Sequence, residues 1–163
     1  MINENELKSL FYIIKEERVM DFSLSKEHKL LQEMYRKFAE NEVKPLAQEI
    51  DEEERFPRET VEKLAKYGFL GIPYSKEYEG QGADYLAYIM AVEELAKVCA
   101  TTATIVAAHA TLGVFPIYQF GTPEQKKKYL TALASGEKLG AFGLTEPMAG
   151  TDAQGQQTKA VLD

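Results

Sequence analysis

Residues 142–155 read FGLTEPMAGTDAQG and hold the densest cluster of Gly, Thr and acidic residues in the chain. Before this cluster, from Ser25 to Ser135, apolar residues recur every three or four positions, as they do on one face of an amphipathic helix. After Gly136 the helical spacing stops, and the short apolar runs KLGAFGL and TKAVLD predict two β-strands. The sequence therefore predicts an all-α bundle followed by the first strands of an incomplete β-domain.

Several residues mark the ends of the predicted helices. Ser25 and Asp84 each precede an apolar helical pattern and have the short, oxygen-bearing side chains that N-cap positions favour. Thr122 and Gln125 occupy the N-cap and N3 positions of a capping box in GTPEQKKKYL. Gly68 predicts the end of the third helix, because glycine readily takes the left-handed conformation found just after a helix.

Two interruptions are predicted inside the helical region. The first helix is expected to break near Asn41, before a second apolar run over 43–54. Residues 101–119 are apolar around most of a helix, which predicts a central buried helix. A membrane span is not expected, because Thr, His and Pro occur among these residues and no basic cluster flanks them. Pro116 is expected to kink or end this helix.

Composition limits the classes of function. The 163 residues suffice for one ordinary domain, and 45% hydrophobic with 28% charged residues is typical of a soluble globular protein. The net charge of -7 argues against nucleic-acid binding.

Cys99 is predicted to be a reduced core residue, and His28 and His109 lack neighbouring ligands for a metal. No membrane contact is expected, and the predicted location is cytoplasmic.

The first 19 residues are interpreted as an extension. Met20 follows Lys-Glu-Glu-Arg, whose codons can spell a purine-rich ribosome-binding sequence, so we hypothesise that translation starts at Met20. A genuine N-terminal extension is the alternative. The predicted organisation is an extension over 1–19, a helical domain over 20–137 and the beginning of an incomplete β-domain over 138–163.

The glycine-rich cluster combines groups that bind a nucleotide. Gly140 and Gly143 would expose backbone along a predicted strand edge, where N–H and C=O groups can pair with a planar heterocycle such as a flavin. The Thr145 hydroxyl could donate to a ring nitrogen or oxygen. In AGTD, successive backbone N–H groups and the Thr151 hydroxyl form a concavity of the kind that holds phosphate. A plain Gly/Thr turn between two strands, without a ligand, is the alternative interpretation.

Titratable residues in and around this cluster are predicted to have structural roles. Glu146 and Asp152 would repel a phosphate if they were exposed, so both are expected to be paired or capped within the protein. His109 is predicted to be a core residue. Of Glu93 and Glu94, one is expected to point inward or to a domain contact and the other to be solvated.

The cluster is similar, residue for residue, to the first signature of the acyl-CoA dehydrogenase family: Gly143-Leu144-Thr145-Glu146-Pro147, then Ala149-Gly150-Thr151-Asp152 and Gly155. The resemblance extends from about Met20 to the end of the chain, through LQEMYRKFAENEVKPLAQEID, FPRETVEKLAKYGFLGIPYSKEYEGQG, YIMAVEELAK and FGTPEQKKKYL. The chain is most like the bacterial short-chain, butyryl-CoA type. It departs from the family pattern at Phe142, where tyrosine is frequent, and at Met148, where Asn or a small residue is usual.

The resemblance implies an FAD enzyme that desaturates acyl-CoA between the α and β carbons. A carboxylate removes the α proton, hydride passes from the β carbon to the flavin, and an electron-transferring flavoprotein takes the electrons. It implies a homo-oligomer, and an acyl pocket walled by the helix over 101–120 and the helix before it. It also implies a set of cofactor-binding residues, of which Thr151 contacts the acyl-CoA as well: Phe142, Gly143, Leu144, Thr145, Gly150 and Thr151.

The resemblance assigns no catalytic residue to this chain, because the family's catalytic glutamate belongs to a C-terminal helical domain beyond Asp163. The chain alone is therefore expected to be inactive and to bind FAD weakly or not at all. A stand-alone helical interaction module without catalysis and a fragment of an acyl-CoA oxidase-like flavoenzyme are the alternatives.

Overall fold

A computed structural model describes residues 21–161, of which residues 26–134 form a bundle of helices. The α-helices are α1 Lys26–Phe38, α2 Lys44–Glu52, α3 Arg58–Lys66, α4 Tyr85–Ala96, α5 Ala100–Ala108, α6 Phe115–Phe120 and α7 Pro123–Ala134. Short 3₁₀ turns cover Phe69–Gly71, Lys76–Tyr78 and Ala153–Gly155, and π-helical turns cover Ala39–Val43 and His109–Val114. The all-α prediction is confirmed. The predicted extension over 1–19 and Met20 lie outside the described residues.

The helix ends lie where the capping residues predict them. Ser25 caps α1 and Asp84 caps α4, and each side chain accepts the backbone N–H three residues on, at 3.1 and 2.8 Å. Thr122 and Gln125 make both hydrogen bonds of the capping box at the start of α7. Gly68 follows α3 with a φ of 76°, in the left-handed conformation. These local predictions are confirmed.

Two prolines are accommodated inside continuous helical rods. The predicted break near Asn41 is wrong, because a π-helical turn joins α1 to α2 there, with Pro45 as the second residue of α2. The second π-helical turn joins α5 to α6 before Pro116, so that helix continues to Phe120. In both turns the N–H of the residue before the proline bonds to the carbonyl five residues back. The wider turn holds an extra residue and takes up the proline's bulky ring and missing N–H.

The rod from Ala100 to Phe120, called the central helix below, contributes only one face to the core. Val106 on that face packs in the same buried cluster as Leu95 of α4. The opposite face is open, with Leu112 43% and Phe120 79% exposed. The central helix is long and apolar enough to cross a membrane by composition, and 33% of its apolar window is buried inside the bundle. The prediction of a helix buried on most sides is therefore wrong for the outward face.

The two strands predicted after Gly136 are absent from the described residues. Between 138 and 161 the chain is irregular, with one short 3₁₀ turn and one isolated bridge between Glu146 and Ala149. A strand is held by hydrogen bonds to a neighbouring strand, and residues 21–161 offer these segments no such neighbour.

Candidate functional site

The segment over 138–158, called the C-terminal segment below, is fixed to the central helix at Gly140. The Gly140 N–H donates to Nδ1 of His109 at 2.9 Å. Gly140 also packs directly against Gly113, because a Cβ built on either glycine would lie within 2.8 Å of the other's Cα. Gly140 is therefore a packing residue, and the prediction that it exposes backbone to a heterocycle is wrong.

Beyond Gly140 the segment opens to solvent. Phe142 is 52% and Leu144 41% exposed, and Thr145 is exposed as well. A Cβ built on Gly143 would meet no atom within 4 Å. Four predicted cofactor residues thus form one continuous accessible stretch, 142–145.

Glu146 closes the next part of the segment into a loop. Its N–H and carbonyl pair with the carbonyl and N–H of Ala149, both at 3.1 Å. Its carboxylate accepts the N–H groups of Gln157 at 2.7 Å and Thr158 at 3.0 Å. The hydrogen bond from Gln157, followed by those from Thr158, lowers the pKa of Glu146. The prediction that Glu146 is capped internally is confirmed.

The predicted phosphate-binding residues lie on the outside of this loop. Gly150 and Thr151 are exposed, and a Cβ built on Gly150 would meet no atom within 4 Å. The Thr151 carbonyl accepts the N–H of Ala153 at 3.1 Å, at the start of a 3₁₀ turn. Asp152 is exposed, and within residues 21–161 its carboxylate receives no hydrogen bond, so the prediction that it is paired is wrong for this part of the chain.

His109 is a core residue, as predicted, and its ring is 1% exposed. Nε2 lies 3.1 Å from the carbonyl of Leu133 at the end of α7, while Nδ1 faces the Gly140 N–H. Since an N–H must donate to Nδ1, the ring proton lies on Nε2 and the imidazole is neutral. Burial lowers the pKa of His109, which favours this neutral form. The sequence does not reveal these partners because both are backbone groups.

Of the adjacent Glu93 and Glu94, one is buried and the other is exposed to solvent, as predicted. Glu94 is 1% exposed, and the Arg36 guanidinium donates to its two oxygens, each at 3.2 Å. Lys97 adds a bond of 2.8 Å to Glu94 and reaches the more exposed Glu93 at 3.1 Å. The guanidinium of Arg36 is the main cause that lowers the pKa of Glu94. Glu94 therefore ties α4 to α1 and is not a free acid or base.

The side chains with metal-binding atoms have other partners. His28 bridges the two helix caps, with Nε2 3.0 Å from Asp84 and Nδ1 2.7 Å from Ser25. Cys99 is a buried free thiol, as predicted, and accepts a hydrogen bond from Thr102 at 3.3 Å. Across residues 21–161, His, Cys, Asp and Glu nowhere form a group of three that could hold a metal ion.

Comparison with known proteins identifies close relatives. The family model described as "Acyl-CoA dehydrogenase, N-terminal domain" matches residues 25–137. The short-chain specific acyl-CoA dehydrogenase of Clostridium acetobutylicum is 61% identical over 144 residues, which cover 88% of this chain and 38% of that protein. The chain thus spans well under half the length of this relative.

Solved structures agree with this relationship. Butyryl-CoA dehydrogenase from Megasphaera elsdenii is similar with a TM-score of 0.80 and 44% identity, over 85% of this chain and 37% of that chain. An acyl-CoA dehydrogenase of Bacillus anthracis complexed with FAD is similar with a TM-score of 0.76 and 37% identity, over 83% of this chain and 23% of that chain.

Proposed function

Because the chain belongs to the acyl-CoA dehydrogenase family, we propose that it is the N-terminal part of an FAD-dependent enzyme that desaturates a short-chain acyl-CoA. The α C–H and β C–H bonds break and a C=C bond forms. The α proton goes to a carboxylate, and FAD supplies the chemistry that accepts the β hydride. Residues 20–137 are proposed as the helical domain, and 138–163 as the start of a second, β-containing domain.

The observation that carries this proposal is the open space at Gly143 and Gly150. Neither glycine has a positive φ, and a Cβ at either position would meet nothing within 4 Å in the described chain. The backbone conformation and the described neighbours therefore leave glycine unexplained at both positions. Close approach of a ligand to the backbone is a physical reason for glycine there.

The side chains around the two glycines fit FAD. Phe142 and Leu144 offer exposed apolar surface to a flat ring, and the Thr145 hydroxyl can hydrogen-bond to a ring atom. Thr151 and its neighbouring N–H groups suit the pyrophosphate, which would also place Thr151 near the phosphates of acyl-CoA. The Glu146 carboxylate accepts two backbone N–H groups, which weakens its repulsion of an anionic ligand, whereas the exposed Asp152 carboxylate still opposes a phosphate beside Thr151.

We further propose that the base for the α proton comes from outside the described residues. In the candidate loop Glu146 is engaged by two backbone N–H groups, and Glu94 in the bundle is held by Arg36 and Lys97. A catalytic base has to reach the proton that it abstracts. A glutamate in a C-terminal helical domain, as the family resemblance implies, would complete the site. Electron-transferring flavoprotein and a homo-oligomeric assembly belong to the same proposal.

The proposal is tested on the protein translated from the whole reading frame that contains this chain. We expect a yellow protein with stoichiometric FAD, whose flavin absorbance bleaches when butyryl-CoA is added without oxygen. A colourless protein that remains monomeric and inert to acyl-CoA would contradict the proposal and favour a helical interaction module. Bleaching followed by rapid recovery in air would instead indicate the oxidase-like alternative.

A further inference from the structure

We propose that His109 is a positioning residue, which fixes the backbone at Gly140 and thereby sets where the flavin-facing residues 142–145 lie. The attachment itself follows from the geometry of the described chain. Its consequence for FAD rests on the proposed function.

The His109 ring joins three parts of the molecule through backbone groups. It stands on the π-helical turn of the central helix, its Nε2 donates to the Leu133 carbonyl at 3.1 Å, and its Nδ1 accepts from Gly140 at 2.9 Å. With a ring that is 1% exposed, water cannot readily replace either partner. The orientation of the imidazole is therefore fixed from both sides.

Gly140 is the last described attachment of the C-terminal segment before the candidate cofactor residues. Just ahead of it, the Lys138 N–H donates to the Ala132 carbonyl at 2.8 Å. Residues 141–143 make no hydrogen bond within the described part of the chain, and the next bond joins the Leu144 carbonyl to the Gln156 side chain. Successive Cα atoms are about 3.8 Å apart, so Phe142 stays within about 8 Å of Gly140. A displacement at Gly140 is thus passed directly to the residues that face the flavin.

The contact between Gly113 and Gly140 makes this attachment specific. Each glycine leaves room for the backbone of the other, with a built Cβ only 2.7 to 2.8 Å from the opposite Cα. This close approach brings the Gly140 N–H within hydrogen-bond distance of the His109 ring, which lies four residues before Gly113 on the central helix. The contact between the two glycines therefore sets the distance from the C-terminal segment to the central helix. The hydrogen bond to His109 sets the orientation of the Gly140 N–H.

Two substitutions separate positioning from simple core packing. In His109→Asn the amide oxygen reaches the former place of Nδ1 and can accept from Gly140. In His109→Gln the longer side chain reaches the former place of Nε2 and can donate to Leu133. Both variants lose the ring and one hydrogen bond, so a purely structural role predicts similar damage from both.

The first measurement is amide hydrogen exchange by NMR on the chain itself. We expect Gly140 to exchange about tenfold faster in His109→Gln than in His109→Asn, as the loss of one hydrogen bond would give, with Lys138 unchanged. Equal exchange of Gly140 in the two variants would overturn the inference. If neither variant folds, the ¹⁵N shifts of the wild-type ring decide: an unprotonated Nδ1 supports the inference, and a protonated Nδ1 overturns it.

The second measurement uses the whole-frame protein loaded with FAD. We expect His109→Gln to shift the flavin absorbance and raise the dissociation constant for FAD, whereas His109→Asn stays close to wild type. Identical flavin spectra and affinities in all three proteins would overturn the positioning role. If the wild type binds no FAD, the proposed function fails, and the Gly140 exchange still decides whether His109 holds the segment.

Discussion

Glu146 shows how a carboxylate inside a candidate functional motif can have a local structural role. Its two oxygens accept backbone N–H groups from Gln157 and Thr158, which lie 11 and 12 residues further along the chain. The side chain therefore closes a loop, and two backbone N–H groups partly compensate its negative charge. Asp152 lacks such partners within residues 21–161 and stays exposed. The two carboxylates of one motif thus have opposite surroundings.

Thr145 gives a test of the candidate flavin contact in the protein translated from the whole reading frame. Thr145→Val keeps the shape of the side chain and removes its hydroxyl, so we expect an intact fold, a shifted flavin absorbance and slower reduction by butyryl-CoA. Stopped-flow absorbance measures both effects. Thr131→Val, at a half-buried residue of α7 outside the proposed acyl and flavin sites, is the matched control. A Thr145 variant with the spectrum and reduction rate of the control would remove Thr145 from the site.

His109 gives a prediction for the pH dependence of stability. Burial lowers its pKa in the folded chain, so the unfolded chain binds more protons below the ordinary value of about 6.5. The contribution of the neutral ring is complete above pH 6.5 and is lost as the pH falls from there through the folded pKa, at up to about 1.4 kcal/mol per pH unit. Urea unfolding between pH 5.5 and 7.5 measures this slope. We expect His109→Asn to have a flatter slope, and an equal slope would contradict the assignment.

At the scale of elements, backbone contacts are the features that the sequence does not reveal. Ser25, Asp84 and Thr122 are recognisable because a cap joins residues three apart with matching chemistry. The π-helical turns escape prediction because proline usually breaks a helix, and nothing local indicates that an extra residue will absorb it. The contact of Gly113 with Gly140 joins residues 27 positions apart without any side chain.

This glycine contact gives a second matched pair of substitutions. In Gly113→Ala the new Cβ would lie 2.7 Å from the Gly140 Cα, and because the obstacle is backbone the C-terminal segment has to move. Overpacking of this kind costs about 1 to 3 kcal/mol, which exceeds the gain of about 0.5 to 1 kcal/mol from alanine in a helix. Thermal unfolding should show a lower Tm. Amide hydrogen exchange measured by NMR should show that the Gly140 N–H exchanges faster.

Gly143→Ala is the control for that experiment. Its Cβ meets nothing within 4 Å, so the chain should keep its Tm. In the FAD-loaded protein the same methyl group would lie where the ring is proposed to approach, and FAD affinity should fall. If Gly113→Ala were as stable as Gly143→Ala, the close contact between Gly113 and Gly140 would not require glycine at position 113.

At the scale of the whole molecule, the sequence predicts the helical bundle and the motif but not the final arrangement of the C-terminal segment. Helices form from local spacing and caps, so they can be predicted from short windows. The predicted strands depend on pairing with distant residues, and residues 138–161 instead form a loop held by Glu146 and His109. The location of the open stretch 142–145 could be predicted from the motif, whereas its anchor at His109 could not.

The last prediction concerns the 163-residue chain purified alone, which we expect to show no acyl-CoA dehydrogenation and little bound FAD. Removing the α proton needs a carboxylate within hydrogen-bond reach, and the loop's Glu146 is already engaged by two backbone N–H groups. The candidate cofactor residues all lie in one exposed segment, so FAD bound there would lose its translational freedom while making only part of its contacts. Flavin absorbance after gel filtration and anaerobic addition of butyryl-CoA measure both expectations. A yellow chain with stoichiometric flavin that bleaches with butyryl-CoA would contradict them, whereas a colourless helical chain whose activity returns only with the rest of the reading frame would support them.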